Sequence, residues 1–346
     1  MLYIQNNSDE KLILDIYLAR ITFLSCKEKN ILSKKLDSSY SLALLSIEEI
    51  FKFLDRPVPL RAEWNAAENL EAAKHALYIC RLRGINLLHN EDAMYPEMLR
   101  NIDDPPYLLF YRGEASLLTE KSVSVVGTRR LTPEGKKAAH KFAYDAVCDG
   151  VNVVSGLAYG ADGCAHLGAV NAFYDGADGG KTIAVLPCAA DEIVPCGQRF
   201  LAEKILKSGG CILSEYEPGM QMASWHYVAR NRIVAALSPA VVVVEAPVGS
   251  GALITADLAL ESGRDVFFHE TAVSQMAQKV SLAVKRDLEV RFAKSEVSKY
   301  KIENTIEKYL EAGASIITSY ADYKAALLEV PGVRSVRQAL IQGELF

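Results

Sequence analysis

Apolar runs of strand length alternate with helix-like stretches from Ser122 to Phe268. The runs are SVSVVG, VNVVS, TIAVLP, CILS, AVVVVEA and DVFF, and the helix-like stretches cover residues 133–149, 161–171, 197–208, 226–237 and 252–262. Continuous apolar strands are typical of parallel sheets that are covered on both faces. Because crossovers between parallel strands are right-handed, the pattern predicts an α/β fold. We expect a Rossmann-like doubly wound, mostly parallel sheet with helices on both faces.

The rest of the chain has a different and mainly helical pattern. Apolar residues recur at three- and four-residue spacing up to a breaker at Pro57 and Pro59, which indicates a small N-terminal helical domain. One amphipathic helix is expected from Glu63 to Gly84. We predict four regions: the small helical domain (1–65), a connecting helix with lead-in strands (66–115), the Rossmann-like domain (116–330) and a C-terminal tail (331–346).

The composition is that of a globular protein with a mildly acidic charge. Of the 346 residues, 50% are hydrophobic and 23% are charged, and the formal net charge is −5. Domains that bind nucleic acid are usually basic as a whole, so the charge argues mildly against this function. A local cluster of arginine and lysine can still dominate the field in a cleft. Any nucleic acid is therefore expected to bind a local patch.

Cysteine usage and the apolar runs indicate the compartment. The seven cysteines include no C-x-x-C pair, which favours buried thiols in a reducing environment and argues against a zinc site. The first residues lack the pattern of a signal peptide, and no apolar run approaches the roughly 18–20 residues of a membrane span. We expect a cytoplasmic protein with no membrane association, no metal and no cofactor.

The first strand of the predicted sheet ends in Gly127, Thr128, Arg129 and Arg130. Ligands of open parallel sheets bind at the carboxyl ends of strands, where a glycine lets the backbone approach a phosphate. Two guanidinium groups match phosphate in charge and geometry. A tight turn with two solvated arginines is the structural alternative. The segment is not G-x-G-x-x-G, which argues against ordinary dinucleotide binding.

Two more loops of small residues are expected at the same edge of the sheet. Ser155 and Gly156 begin the second loop, and Gly249, Ser250 and Gly251 form the third. For the second loop, a turn that glycine permits, followed by a helix cap, explains the sequence as well as ligand contact does. Three such loops on one edge nevertheless predict a broad anion-binding rim.

Asp162 and His166 are four residues apart on the helix after the second loop, so they share one face. A general acid–base pair or half of a metal site is one interpretation. The favoured interpretation is that they order the start of the helix, and we predict no catalytic residue.

Aromatic and arginine residues are interleaved from Trp225 to Arg232, with Tyr227, Arg230 and Asn231 between them. This combination suits a single nucleic-acid strand, because arginine neutralises phosphates while aromatic faces stack on any base. The structural alternative makes the aromatics core anchors and the arginines ion-pair partners. Residue chemistry alone leaves both interpretations open.

Together these segments resemble the DNA-processing protein A (DprA/Smf) family. The motifs lie in family order over residues 91–270, and this order makes the resemblance specific. They are Tyr95-Pro96 with Asp104-Pro105-Pro106, Gly127-Thr128-Arg129, Ser155-Gly156-x-Ala158-x-Gly160-x-Asp162, Leu213-Ser214-Glu215-Tyr216-x-Pro218-Gly219, His226-Tyr227-x-x-Arg230-Asn231-Arg232 and Ser250-Gly251-Ala252-Leu253-Ile254-Thr255.

The resemblance implies a homodimeric protein with a Rossmann-like domain that binds single-stranded DNA. It also implies that the protein helps to load the RecA recombinase onto this DNA during uptake of transforming DNA. The residues that match the family motifs are then DNA contacts. They are Arg129, Tyr227, Arg230 and Arg232 through side chains, and Ser155, Gly156 and Gly251 through the backbone.

The chain departs from the family pattern at several positions. Tyr227 replaces the usual phenylalanine, which preserves stacking, whereas Ser224 stands where some relatives have lysine, so that one phosphate contact is expected to be missing. Gln198 stands where asparagine is common, in a segment that begins Val194-Pro195. The N-terminal region only resembles the family's SAM-like helical module, and we expect no C-terminal winged-helix domain.

Two alternative functions remain on the same superfold. A nucleotide phosphoribohydrolase of the lysine-decarboxylase-like (LOG) type needs an acid three residues after the threonine of its glycine-rich block. Here Thr255 is followed at that position by Leu258, although Asp257 is adjacent. The other alternative is a sensor that binds a small nucleotide on the same rim.

Overall fold

The computed structural model describes residues 7–57 and 64–328, which form two compact units. The smaller unit comprises the chain up to Arg112 together with Pro187–Glu192 and Leu213–Ala223. The larger unit comprises Gly113–Leu186, Ile193–Ile212 and the chain from Ser224 onward. The four predicted region boundaries stay a prediction, and the tail 331–346 lies outside the described residues.

The smaller unit is mainly helical. Its elements are α1 (Asn7–Ala19), α2 (Cys26–Lys35), α3 (Ser39–Ala43), α4 (Ile47–Phe53), α5 (Ala66–Arg83), β1 (Asn86–His89), α6 (Glu97–Arg100) and β2 (Leu108–Gly113, whose last residue belongs to the larger unit). Helix α2 begins at a capping box in which Ser25 and Glu28 exchange hydrogen bonds, and this fixes its first turn. Tyr17 stacks on Trp64 with ring centroids 5.4 Å apart. Strands β1 and β2 form an antiparallel hairpin.

The larger unit has the predicted alternation of strands and helices. Its elements up to β8 are β3 (Ser122–Val126), α7 (Pro133–Cys148), β4 (Asn152–Ser155), α8 (Ala161–Tyr174), β5 (Thr182–Leu186), α9 (Arg199–Lys207), β6 (Cys211–Ser214, whose last two residues belong to the smaller unit), α10 (His226–Ala236), β7 (Ala240–Val243), α11 (Gly251–Glu261) and β8 (Asp265–His269). There follow α12 (Gln275–Ala293), α13 (Lys299–Glu303), α14 (Ile306–Glu311), β9 (Ser315–Ile317) and α15 (Tyr320–Leu328).

The strands follow the spatial order β5-β4-β3-β7-β8-β9, with β6 next to β5. The pairs from β5 to β9 are parallel. Every residue of β3, β4, β5 and β7 is buried, as expected for a sheet with helices on both faces. The predicted Rossmann-like fold is therefore confirmed.

The strand order reverses beside β3. From β3 the chain builds β4 and β5 on one side, and later returns to place β7 on the other side. In doubly wound sheets the crevice outside the carboxyl ends of strands at this switch point is the usual ligand site. The loops after β3 and β7 are two of the three loops in which the sequence predicted anion binding.

Helix α9 begins at Arg199, two residues after its predicted start, and both α12 and α9 follow a tighter turn. A 3₁₀ turn, Glu270–Val273, precedes α12, and Ser274 then caps the helix by accepting a 3.2 Å hydrogen bond from the N–H of Ala277. Another 3₁₀ turn, Cys196–Gln198, precedes α9. Apolar periodicity continues through such tighter turns, so it does not mark the boundary.

Candidate functional site

A cavity of about 490 Å³ lies at the carboxyl ends of β3, β4 and β7. Eleven of the fourteen predicted site residues line it: Gly127, Thr128, Arg129, Arg130, Gly156, Tyr227, Arg230, Asn231, Gly249, Ser250 and Gly251. Parallel strands bring loops that are far apart in the sequence to one edge of the sheet, which explains this grouping. Their role in binding is untested and stays a prediction.

The first loop (residues 127–132) is held rigidly by its backbone. The N–H of Thr128 donates to the carbonyl of Glu245 at 2.6 Å, and the Thr128 carbonyl accepts from the N–H of Ala161 at 3.1 Å. A Cβ at Gly127 would lie 2.7 Å from that of Ala161, so only glycine fits this close approach. These contacts leave the side chains of Arg129 and Arg130 exposed at the rim.

Arg129 and Tyr227 form a cation–π pair across the cavity. The guanidinium carbon of Arg129 lies 5.4 Å from the centroid of the Tyr227 ring. Tyr227 is on the first turn of α10, about a hundred residues later in the chain, and is half-buried. Stacking on an aromatic face orients a planar guanidinium while its N–H groups stay available for an anion. The pair thus places a cationic group that is able to bind an anion beside an aromatic ring that is able to stack on a planar group.

Arg230 forms the floor of the cavity and is only 4% exposed. Its guanidinium donates to the carbonyl of Val185 and lies against Gly156, where any Cβ would overlap it. Asp162 is also buried, and its carboxylate accepts from the N–H groups of Gly156 (3.2 Å) and Ala158 (3.3 Å). Arg230 therefore supports the second loop from below.

Burial raises the pKa of Asp162, while the positive charge of Arg230 and the two loop N–H groups oppose that rise. The charge of Arg230 thus stabilises the ionised form of the buried carboxylate. The backbone N–H of Gly156, predicted as a phosphate donor, is already engaged with this carboxylate.

His166 forms its hydrogen bond with Thr182 and not with Asp162. Its Nδ1 lies 2.7 Å from Oγ1 of Thr182, and the Thr182 hydroxyl donates to the carbonyl of Val153 at 2.7 Å. The hydroxyl therefore accepts from His166, which makes Nδ1 the protonated nitrogen of a neutral ring. Burial lowers the pKa of His166 to about 3, and the charge of Arg230 adds to this effect.

We expect the buried neutral His166 to make folding sensitive to acid. Below its usual pKa of 6.5 the unfolded chain binds a proton that the folded chain excludes until about pH 3, so this stability is present above pH 6.5 and is lost as the pH falls. Between pH 6.5 and 5.0 the loss is about 1.6 kcal/mol. Urea unfolding gives the free energy of unfolding of the wild type and of His166→Asn at both pH values. The wild type should lose about 1.6 kcal/mol more than the variant between pH 6.5 and 5.0. Equal pH dependence in the two proteins would contradict this assignment.

The third loop (residues 247–250) leads into α11, whose N-terminus opens on the cavity. Ser250 is the N-cap residue, but its side chain makes no capping hydrogen bond. The Oγ atom of Ser250 is buried and has no hydrogen-bond partner among the described residues. Asn231 on α10 donates to the carbonyl of Gly251 at 3.4 Å. An uncapped helix N-terminus beside an unused hydroxyl is a suitable place for an anion.

Three predicted residues do not line the cavity. Ser155 is fully buried in β4 and its hydroxyl donates to the carbonyl of Val125 at 2.6 Å. Trp225 is 59% exposed, with its ring edge-on to His226. The guanidinium of Arg232 donates to the carbonyl of Ala229 on its own helix at 3.1 Å.

Two further residues help to form the site, and sequence reasoning missed both. The buried carboxylate of Glu245 accepts from the hydroxyl (2.5 Å) and N–H (3.0 Å) of Thr132, which caps α7. The sequence feature that could have identified Glu245 is its position as the single acidic residue near the end of the apolar run AVVVVEA. Lys301 of α13 also lines the cavity. Nothing local in the sequence marks it, because its place depends on the path of the chain after β8.

Comparison with known proteins identifies relatives for most of the chain. The family model of DNA recombination-mediator protein A matches residues 86–322. The chain is 42% identical over 176 residues to the DNA processing protein DprA of Streptococcus pneumoniae, covering 51% of this chain and 60% of that protein. It is 38% identical over 188 residues to DprA of Bacillus subtilis, covering 54% of this chain and 61% of that protein.

The structural comparison extends beyond the matched sequence. The X-ray structure of DprA from S. pneumoniae covers 90% of this chain and 97% of its own, with a TM-score of 0.64 and 29% sequence identity. None of the described helices is long and apolar enough to cross a membrane. The family match includes the strands and loops that form the cavity, and it confirms the resemblance found in the sequence motifs. The chain therefore belongs to the DNA recombination-mediator protein A family, the DprA/Smf proteins.

Proposed function

We propose that this protein binds single-stranded DNA in the cavity at the carboxyl ends of β3, β4 and β7, as part of DNA processing in transformation and recombination. The observation that carries the proposal is the Arg129–Tyr227 pair. A guanidinium held on an aromatic ring offers one group to a phosphate and one face to a base, which is the pairing that single strands require.

The charges around the cavity suit this ligand although the chain is acidic overall. Arg129 and Arg130 are exposed at the rim, and the N-terminus of α11 adds the partial positive charge of a helix end. Asp162, the one carboxylate that lines the cavity among the described residues, is buried near Arg230. A local positive patch of this kind attracts phosphate independently of net charge.

Salt dependence tests the proposal. Each phosphate contact on a single strand contributes about −0.7 to the slope of log K against log salt, so the two arginines of the first loop give about −1.4 and each further contact adds about −0.7. A fluorescent thymidine oligomer of about 30 nucleotides, titrated at several salt concentrations, measures the slope. Tight binding with no dependence on salt would contradict binding through phosphates.

We further propose that the protein acts as a homodimer that presents two cavities to one strand and delivers this strand to RecA. Two linked sites raise apparent affinity through effective concentration, so an oligomer of about 30 nucleotides should bind much more tightly than a hexamer. Equal affinities would argue against the dimer. Faster assembly of RecA on the strand in the presence of the protein is the expected sign of loading.

We propose binding rather than catalysis. Asp257, which the phosphoribohydrolase alternative would employ, accepts hydrogen bonds from the hydroxyl of Tyr300 and from Nδ2 of Asn304 (2.9 Å). Its other oxygen lies 3.4 Å from the ammonium of Lys308. A carboxylate engaged in this way has a structural role. Release of free base from a nucleoside monophosphate, abolished by Asp257→Ala, would overturn this conclusion.

The volume of the cavity supports one further candidate, a sensor of small nucleotides. About 490 Å³ falls within the range of sites that enclose a small ligand. The same titration distinguishes the two functions. An affinity for thymidine monophosphate comparable to that for the oligomer would favour the sensor, whereas much weaker binding of the mononucleotide supports the DNA site.

A further inference from the structure

The C-terminal part of the larger unit contributes Lys301 to the cavity. The short helix α13 lies beside the third loop, and the carbonyl oxygen of Lys301 is so close to Gly249 that a Cβ there would overlap it. Gly249 has a φ of +65° and donates its N–H to the carbonyl of Asn304 at 2.9 Å. The backbone of the third loop and that of residues 301–304 are therefore in direct contact.

A hydrogen-bond network anchors this segment on both sides of Lys301. Asp257 of α11 accepts from Tyr300, the second residue of α13, and from Asn304, the residue that follows this helix. The hydroxyl of Tyr309 lies 2.7 Å from Oδ1 of Asn304 and 2.8 Å from the carbonyl of Leu253. Because both flanks are tied to α11, the backbone at Lys301 has a defined position over the N-terminus of that helix.

Lys301 differs from the neighbouring lysines in having no acidic partner. Lys299 pairs with Glu303 at 2.8 Å, and Lys308 lies 3.4 Å from Asp257. Lys301 is exposed, lines the cavity and forms no ion pair among the described residues. The same cavity is lined by the first turn of α11, which has no side-chain cap, and by Ser250, whose Oγ has no hydrogen-bond partner among the described residues. All of these groups favour an anion.

We propose that Lys301 binds a phosphate of the DNA strand together with the N-terminus of α11, and that Asp257, Tyr300 and Asn304 act as positioning residues for it. This inference rests on the proposed DNA-binding function. It assigns a second phosphate subsite to the cavity, separate from the first loop and supplied by a segment more than 160 residues later in the sequence.

The test compares Lys301→Ala with its matched control Lys299→Ala, which removes an exposed lysine two residues away on the same helix. At about 0.1 M salt, loss of one counterion-releasing contact weakens binding about fivefold and makes the salt slope less negative by about 0.7. We expect this for Lys301→Ala, no change for Lys299→Ala, and restoration by Lys301→Arg. Thermal unfolding of both alanine variants should match the wild type, because both side chains are exposed.

The positioning residues are tested by a variant of the anchor. We expect Asp257→Ala, which removes the acceptor of both hydrogen bonds, to reduce affinity and salt slope as Lys301→Ala does, and the double variant to be no weaker than either single one. Additive losses of affinity would show that Asp257 acts independently of Lys301, and would refute its positioning role.

An Arg129→Ala variant in the same titration distinguishes failure of the proposed DNA-binding function from failure of the proposed role of Lys301. If the wild type does not bind the oligomer, the proposed function itself fails. If the wild type binds and Arg129→Ala is weakened, but Lys301→Ala behaves like Lys299→Ala, then the DNA function stands and the role of Lys301 is refuted.

Discussion

Arg129→Ala should bind a thymidine oligomer of about 30 nucleotides about 25-fold more weakly than the wild type at about 0.1 M salt. Loss of one phosphate contact accounts for about fivefold. Loss of the guanidinium that lies 5.4 Å from the Tyr227 ring accounts for a similar factor, because the ring is then no longer held for stacking and about 1 kcal/mol is lost. A fluorescence titration at two salt concentrations measures both the affinity and the slope.

Substitutions at the same two positions separate charge from stacking. Arg129→Lys keeps the positive charge but not the planar group, so the salt slope should be retained while affinity falls by a smaller factor. Tyr227→Leu removes the stacking face, and its effect should not add to that of Arg129→Ala because the two side chains are in contact. Full additivity would show that the pair does not act as a unit.

Arg286→Ala provides the control, since this exposed arginine lies on α12 and does not line the cavity. Its affinity and salt slope should equal those of the wild type. If Arg129→Ala binds as tightly as this control, DNA does not occupy the first loop, and the family membership preserves the fold without this site.

The sheet and most of the site could be predicted because both depend on local patterns. Buried parallel strands have continuous apolar sequences, and the first two predicted site loops begin directly after a strand, as Gly127 and Gly156 show. Parallel strands place their carboxyl ends on one edge whatever lies between them. The meeting of these loops in one cavity therefore follows from topology alone.

The remaining features depend on three-dimensional surroundings that a sequence pattern does not contain. Arg230 and Arg129 have the same side chain, yet one is buried beneath Gly156 and the other is exposed on the rim. Trp225 has the composition of a stacking residue but does not line the cavity. Lys301 lines it only because α12 and α13 carry the chain back over the third loop.

Arg230→Met should destabilise the protein by roughly 3–5 kcal/mol, the cost of breaking a buried charge pair from one side. The substitution leaves the buried carboxylate of Asp162 without its compensating charge and the carbonyl of Val185 without its donor. Urea unfolding at pH 7 measures the loss. Arg232→Met is the matched control. The Arg232 side chain is half-exposed and its guanidinium donates to the carbonyl of Ala229 on its own helix, so we expect its replacement to change the free energy of unfolding by less than about 1 kcal/mol.

The double variant Arg230→Met with Asp162→Asn determines whether the charge itself is responsible. Asparagine removes the uncompensated charge and keeps an oxygen to accept from the N–H groups of Gly156 and Ala158, so a large part of the lost stability should return. The family resemblance implies that Arg230 is a DNA contact, and that role makes the opposite prediction. A stable Arg230→Met protein that has lost its affinity for DNA would assign Arg230 to the strand, whereas an unstable one rescued by Asp162→Asn assigns it to the second loop, which it supports from below.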